Sequence, residues 1–195
     1  MTLDGVGGSG AASGHPCYAR RATLATMAFE RLSSRLLAAG HRLEAVRPAV
    51  EAGSPWPRSP IFGAEPEASW NPPELLAHLA EMLPYWLAQV ERILAGYPEP
   101  VPFGRVQTDA TRIAAIGRDR ALPPDELFYR IAVGVDAAVG RFATLGPDDA
   151  TRRATHPTRG EMTLEAVVER MLVGHLEEHA TQLEGILQGD SAPSP

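Results

Sequence analysis

Lysine is absent from this 195-residue chain; all 18 basic side chains are arginine. With Ala, Gly and Pro abundant, that absence reads as a GC-rich coding bias and points to no function. Cysteine occurs once, at Cys17, so no intramolecular disulfide can form and a reducing compartment is the natural setting. No apolar run reaches 18 residues, which excludes a helical membrane span. No basic segment followed by an apolar one opens the chain, so no secretory signal is read there, and the expected location is the cytoplasm. Excess positive charge is also missing. The formal net charge is −6, which argues against nucleic acid as a partner. No repeat of 20 to 50 residues is present, and no segment reads as a convincing strand.

What is present is helical periodicity. With 44% hydrophobic residues the chain suits one globular domain with a real core, expected over residues 20–188. It is flanked by a Gly/Ala/Ser-rich tail over 1–19, which carries His15 and Cys17 as bystanders, and by a short tail over 189–195. The first helix is expected from about Ala22 to Glu51, marked by Leu24, Met27, Leu32, Leu36, Leu43, Val46 and Val50. Gly40 weakens its middle and Pro48 disturbs its end. His41 follows that glycine and reads as a surface or packing residue.

Residues 53–73 hold six prolines and cannot form a helix or a central strand. They also hold Trp56, Ile61, Phe62 and Trp70, so they read as a packed crossover, a lid over one end of the core that can double as a pocket wall. The Ser69–Glu74 stretch has a polar residue, prolines for a first turn and an acidic side chain for the positive helix end. It starts a second helix running to about Ala95, with Leu75, His78/Leu79, Met82, Trp86, Val90 and Ile93 inward and a kink expected at Pro84. Residues 96–122 stay open between loop and short helix. A third helix from Pro123 carries Leu127, Ile131, Val135, Ala138, Phe142 and Leu145 and ends at Gly146-Pro147. A polar connection over 149–162 follows, with Arg152, Arg153, His156 and Arg159, and Thr163 caps the fourth helix. Four helices with two long connections predict an all-α four-helix bundle with a proline-rich crossover.

The fourth helix is the informative one. Leu164, Val168, Met171, His175, His179, Gln182 and Ile186 recur at spacings of three and four and share one face, with Glu165, Glu169, Glu177 and Glu184 opposite. Two imidazoles therefore stand where Leu or Ile is expected. A spacing of four advances about 6 Å along the helix and leaves the two rings on nearly the same side, so both can lean onto one ion. His78, inward on the second helix, supplies a third ligand. Three neutral imidazoles suit Zn²⁺, with Ni²⁺, Fe²⁺ or Mn²⁺ as further choices, and leave a coordination position open for water or substrate. His175-Leu-Glu-Glu178-His179 also fits the H-x-x-E-H pattern of inverted zinc peptidases, but too little chain follows for their downstream acidic ligand. Glu178 and Glu81 are the acidic candidates for general-base work beside this site, although each reads more readily as a solvated helix-face residue.

The Trp70-x-x-x-Glu74-x-x-x-His78-Leu79 segment, His156-Pro-Thr-Arg-Gly-Glu-Met-Thr-Leu164 and the His175-x-x-x-His179 pair together resemble the DinB/YfiT-like superfamily of bacterial four-helix bundles. The resemblance implies that His78, His175 and His179 bind a divalent metal and that the protein forms a homodimer. Characterised relatives include thiol-dependent transferases and mycothiol-dependent maleylpyruvate isomerases, using mycothiol, bacillithiol or glutathione. The implied function is metal-dependent S-transfer or isomerisation of a small molecule, with a low-molecular-weight thiol as co-substrate. Arg152, Arg153 or Arg159 would then hold a carboxylate of that thiol, since guanidinium groups pair bidentately with carboxylates. The alternative expectation is a non-catalytic metal- or haem-binding stress-response bundle, the haem lying between His78 and His175; a metal-dependent hydrolase is a lesser one.

Overall fold

The computed structural model describes residues 16–59, 67–96 and 98–189, with side chains from residue 27 onward, residue 68 excepted. The expected tails, apart from residues 16–19 and Gly189, fall outside the described residues, as do Ile61 and Phe62 and the side chain of Cys17.

The first helix, α1, runs Pro16–Ala52 and passes through Pro48 without ending. Its inward stripe is Leu32, Leu36, Ala39, Leu43 and Val50, each at most 1% exposed. Met27, read in sequence as part of the apolar pattern, is exposed, and Phe29 takes the buried place instead. α2 is Pro72–Ala95, with prolines in its first turn and Glu74 beside them as the sequence predicts; Asn71 stands at the N-cap position without a side-chain cap bond. Pro84 lies on its solvent side and the helix continues through it. α3, Ala110–Asp119, resolves the segment that sequence left open: Asp109 accepts hydrogen bonds from the backbone N–H groups of Thr111 and Arg112, a side-chain N-cap. α4 is Pro124–Phe142, with the predicted stripe from Leu127 to Phe142 buried. A single turn, α5 (Pro147–Ala150), follows. The predicted fourth helix is one continuous run: α6 (Leu164–Val167), a π-helical segment (Val168–Gly174) and α7 (His175–Gln188), closed by Gly189 in the left-handed conformation.

α1 packs on α4 and α7, and α2 on α3, α4 and α7, around one core. Three of the glutamates read as the outer face of the fourth helix bind α1. Arg35 donates to Glu177 at 2.7 and 2.9 Å and to Glu169 at 2.7 Å, and Arg42 donates to Glu184 at 2.6 and 2.9 Å. These pairs are partly exposed, so their value lies more in fixing the register of the two helices than in stability.

The expected absence of strands is overturned. β1 (Val101–Pro102) pairs in parallel with β2 (Arg153–His156), which pairs antiparallel with β3 (Gly160–Thr163). The strands are too short, and their apolar alternation too thin, to stand out in sequence: only Ala154 and His156 of β2 face inward. Gly160 adopts φ +73° at the turn, the left-handed conformation that glycine takes without steric penalty. This small sheet lays the 157–160 turn against the end of the bundle that holds the histidines.

α2 and α4 approach closely at Gly134. A Cβ at Gly134 would come within 2.8 Å of Leu83 Cβ, whereas nothing stands within 4 Å of one at Gly140. Gly134→Leu is therefore expected to destabilise the fold by about 1–3 kcal/mol and Gly140→Ala to stabilise it by up to about 1 kcal/mol. Urea denaturation of the two variants beside the parent checks both signs.

Candidate metal centre

Four side chains from three parts of the chain converge. Glu67 stands on a 3₁₀ turn (Glu67–Ser69) at the end of the crossover, His78 on α2, and His175 and His179 on the first turn and a half of α7. One ligand atom of each lies within 4.8 Å of all the others. His78 Nε2 is 3.1 Å from His175 Nε2, and His175 Nε2 is 2.8 Å from His179 Nε2. Glu67 Oε2 lies 3.7 Å from His175 Nε2 and 3.5 Å from His179 Nε2. His78 is 1% exposed and His179 5%.

The chemistry of this arrangement follows from counting protons. The Gln182 side-chain N–H donates to the Glu67 carbonyl at 2.8 Å, which fixes the amide's orientation. Gln182 Oε1 then accepts from His179 Nδ1 at 2.9 Å, so Nδ1 carries the proton and Nε2 presents a bare lone pair to the cluster. His175 Nε2 contacts both other rings, and one N–H cannot point in line at two acceptors. Three neutral imidazoles thus leave nitrogen lone pairs facing one another, an arrangement that a shared cation relieves. Three nitrogens and one carboxylate oxygen are a donor set suited to Zn²⁺ and to neighbouring divalent ions. The residues present fit the group.

Charge reinforces the geometry. Burial lowers the affinity of His78 for a proton, and the neighbouring His175 and His179 lower it further, so its pKa lies well below the ordinary value. Burial pushes the Glu67 carboxyl up, but the imidazoles beside it and the Arg112 guanidinium outweigh that and hold it well below the usual carboxylate range. Arg112, on α3 and 4% exposed, forms an ion pair with Glu67 and also donates to the Gln107 carbonyl at 3.0 Å. The Trp70 ring lies edge-on to His78 at 5.5 Å.

Glu67, His78 and His175 form one wall of a cavity of about 370 Å³, with His179 behind them. Arg105, Arg159, His156 and Thr158 contribute to the rest of the lining, with Trp86 and Met171 as its apolar part. Arg105 binds Glu81 at 2.5 and 2.6 Å and stacks over Tyr85 at 3.6 Å. His156 is buried, and its Nδ1 accepts from the Thr158 N–H at 3.3 Å. Burial, and secondarily the charge of Arg159, lower its pKa. Gly104, at φ +80°, passes against this ring so closely that a Cβ would meet it at 2.4 Å. A larger groove of about 560 Å³ between α1 and α4 includes His41 but none of the cluster.

The three histidines read from sequence come together. The other candidates divide. Arg159 lines the cavity and is exposed at its edge. Arg152 and Arg153 do not line it. Arg152 donates to the Leu94 and Gly96 carbonyls at 2.9 and 2.8 Å, tying down the end of α2, and Arg153 pairs with Glu161 at 3.2 Å. Glu178 is exposed on α7 and outside the cluster, and Glu81 is held by Arg105, so neither acid stands free beside the three imidazoles. A haem between His78 and His175 is excluded by their 3.1 Å separation, which admits no porphyrin between the rings. Glu67, Arg112 and Arg105 were missed. Glu67 falls in a proline-rich stretch with no periodicity to assign its direction, although that stretch is legible as a pocket wall.

A family model described as the DinB superfamily matches residues 19–183. The chain belongs to the DinB superfamily. No curated protein and no solved structure matches it. No helix among the described residues is long and apolar enough to cross a membrane.

Two outcomes are expected of the metal-free protein. The folded pKa of His78 is depressed, so its contribution to stability is present above the unfolded value of about 6.5 and is lost as pH falls toward the folded value. Glu67 has the same sign in a lower window, below about 4.3. Denaturation midpoints after chelation should therefore fall between pH 7.5 and pH 5, and His78→Gln should flatten that slope. A midpoint that rises with acid would contradict the buried neutral ring.

Proposed function

We propose that this DinB-superfamily protein is a divalent-metal-dependent enzyme acting on a low-molecular-weight thiol, in S-transfer or isomerisation of a small molecule. The observation that carries the reading is the imidazole cluster opening, through His78 and His175, onto an arginine-lined cavity rather than lying sealed in the core. His78, His175 and His179 would hold the ion, zinc by their chemistry, and a bound divalent cation supplies the field that keeps a thiol's sulfur as thiolate at neutral pH. Each residue around it then has a task. Gln182 keeps His179 in the tautomer whose Nε2 lone pair faces inward. Arg112 keeps Glu67 ionised and in place. Trp86 and Met171 keep water from part of the cavity. Arg159, charged at the cavity edge, suits a carboxylate of the incoming thiol. The reading keeps the protein in the cytoplasm, where such thiols are reduced, and as a homodimer.

One observation favours a second reading. Glu67 is close enough to complete a four-donor set, and closed four-coordinate sites are typically structural. On that reading the protein is a non-catalytic metal-binding bundle. The two part on one question: whether a thiol can take the place of Glu67.

Two measurements test the proposal. His179→Ala should lose stoichiometric metal by elemental analysis; retention of one ion per chain would refute the ligand assignment. In cobalt-loaded protein, added mycothiol, bacillithiol or glutathione should produce a sulfur-to-metal absorption band. Arg159→Ala should weaken that titration by roughly 10-fold, the worth of one solvent-screened charge-assisted contact. No band with any of the three thiols would favour the closed, non-catalytic site.

A further inference from the structure

His78 reaches the cluster through Nε2, and its other nitrogen has no visible partner. Nδ1 is fully enclosed and makes no hydrogen bond. A ring whose Nε2 lone pair faces an ion must carry its proton on Nδ1, and a buried N–H without an acceptor costs about 1–3 kcal/mol. One helical turn earlier on the same face of α2 stands Glu74, 0% exposed, with Oε2 also enclosed and unbonded. A donor in need of an acceptor and an acceptor in need of a donor thus lie four residues apart in one helix. Glu74 is the one carboxylate with such an oxygen among the described residues.

The other oxygen of Glu74 is firmly held. Oε1 accepts from the Ser59 N–H at 3.1 Å and from Arg120 at 2.9 Å, and Arg120 also donates to the Ser59 carbonyl at 3.3 Å. The carboxylate is therefore fixed to the crossover on one side and faces unpaired on the other.

We propose that Glu74 is a positioning residue for the metal centre: Oε2 accepts the Nδ1 proton of His78, after a small turn of the carboxylate or through one buried water, and so sets the tautomer and direction of that ring. This rests on the metal-binding part of the reading above and not on its thiol chemistry. Partners of this kind hold metal-bound imidazoles in orientation and raise their basicity. Gln182 serves His179 in the same manner. In this arrangement Ser59 and Arg120 connect the crossover, through Glu74, to a ligand on α2.

The test reads the ring itself. In zinc-loaded, ¹⁵N-labelled protein the His78 Nδ1 proton should be slowly exchanging and shifted downfield by its carboxylate acceptor. In Glu74→Gln that resonance should move and exchange at least 10-fold faster, and zinc affinity against a chromophoric chelator should fall about 10–100-fold. Arg120→Met, which removes one of the two partners of Oε1, should lower stability while leaving the His78 proton bonded. Unchanged His78 resonance and affinity in Glu74→Gln would overturn the proposal, as would an Arg120→Met variant that loses both equally. If Glu74→Gln does not fold, the parent protein still decides: a His78 Nδ1 that is unprotonated, or whose proton exchanges as fast as an exposed ring's, refutes the assignment. Failure of the parent to bind zinc at all would instead count against the metal reading.

Discussion

The approach of His175 Nε2 to two other imidazole nitrogens, 3.1 Å from His78 and 2.8 Å from His179, is the constraint on which the rest of this structure turns. Neutral rings cannot satisfy both contacts with the protons they carry, and charged rings would repel one another in a buried site. The bundle nevertheless holds them there. His175 and His179 come from one helix, His78 from another, and two of them have a partner outside the cluster: His179 bonds Gln182 and His78 packs against Trp70. Such an arrangement is stabilised by a bound cation and strained without one. The surrounding hydrophobic core, which includes Leu75, Leu79, Met82, Leu172, Leu176 and Leu183, supplies the stability that offsets the strain.

Around this constraint the charged side chains sort into two groups. One set ties elements together: Arg35 and Arg42 join α1 to the glutamates of the last helix, Arg152 ties down the end of α2, and Arg120 anchors Glu74. The other set faces the cavity. Arg105 and Arg112 are each matched by a glutamate, whereas Arg159 stands exposed at the edge. A chain with a net charge of −6 thus presents a locally cationic cavity wall beside a cluster suited to a divalent ion. Global charge says little about such a site; local pairing decides it.

The four long helices were legible because each has a long stripe at helical spacing, and the histidine pair because polar rings interrupt such a stripe; the ten-residue α3 has too short a stripe and stayed open. His78 was legible for the same reason. What was not legible lacks periodicity. The hairpin strands are four residues each, and what commits them is the turn at Gly160 and pairing with residues far along the chain. Glu67 lies among prolines where no pattern gives a direction, yet a 3₁₀ turn, Arg112 and Gln182 place it beside the cluster. The π-helical segment before His175 was likewise invisible: its extra residue per turn widens the apolar face, burying Leu172 and Val173 beside the predicted stripe. Arg152 shows the reverse error. A guanidinium close in sequence to a suspected site was assigned to a ligand, while the backbone carbonyls at the end of α2 claim it.

The account stands on the convergence of His78, His175, His179 and Glu67 upon a single ion. X-ray absorption at the zinc edge of the loaded protein measures that directly. Three imidazole nitrogens at about 2.0–2.1 Å with one or two light oxygen donors is the predicted first shell. A shell with fewer than three imidazoles, or one containing sulfur in the absence of added thiol, would contradict it.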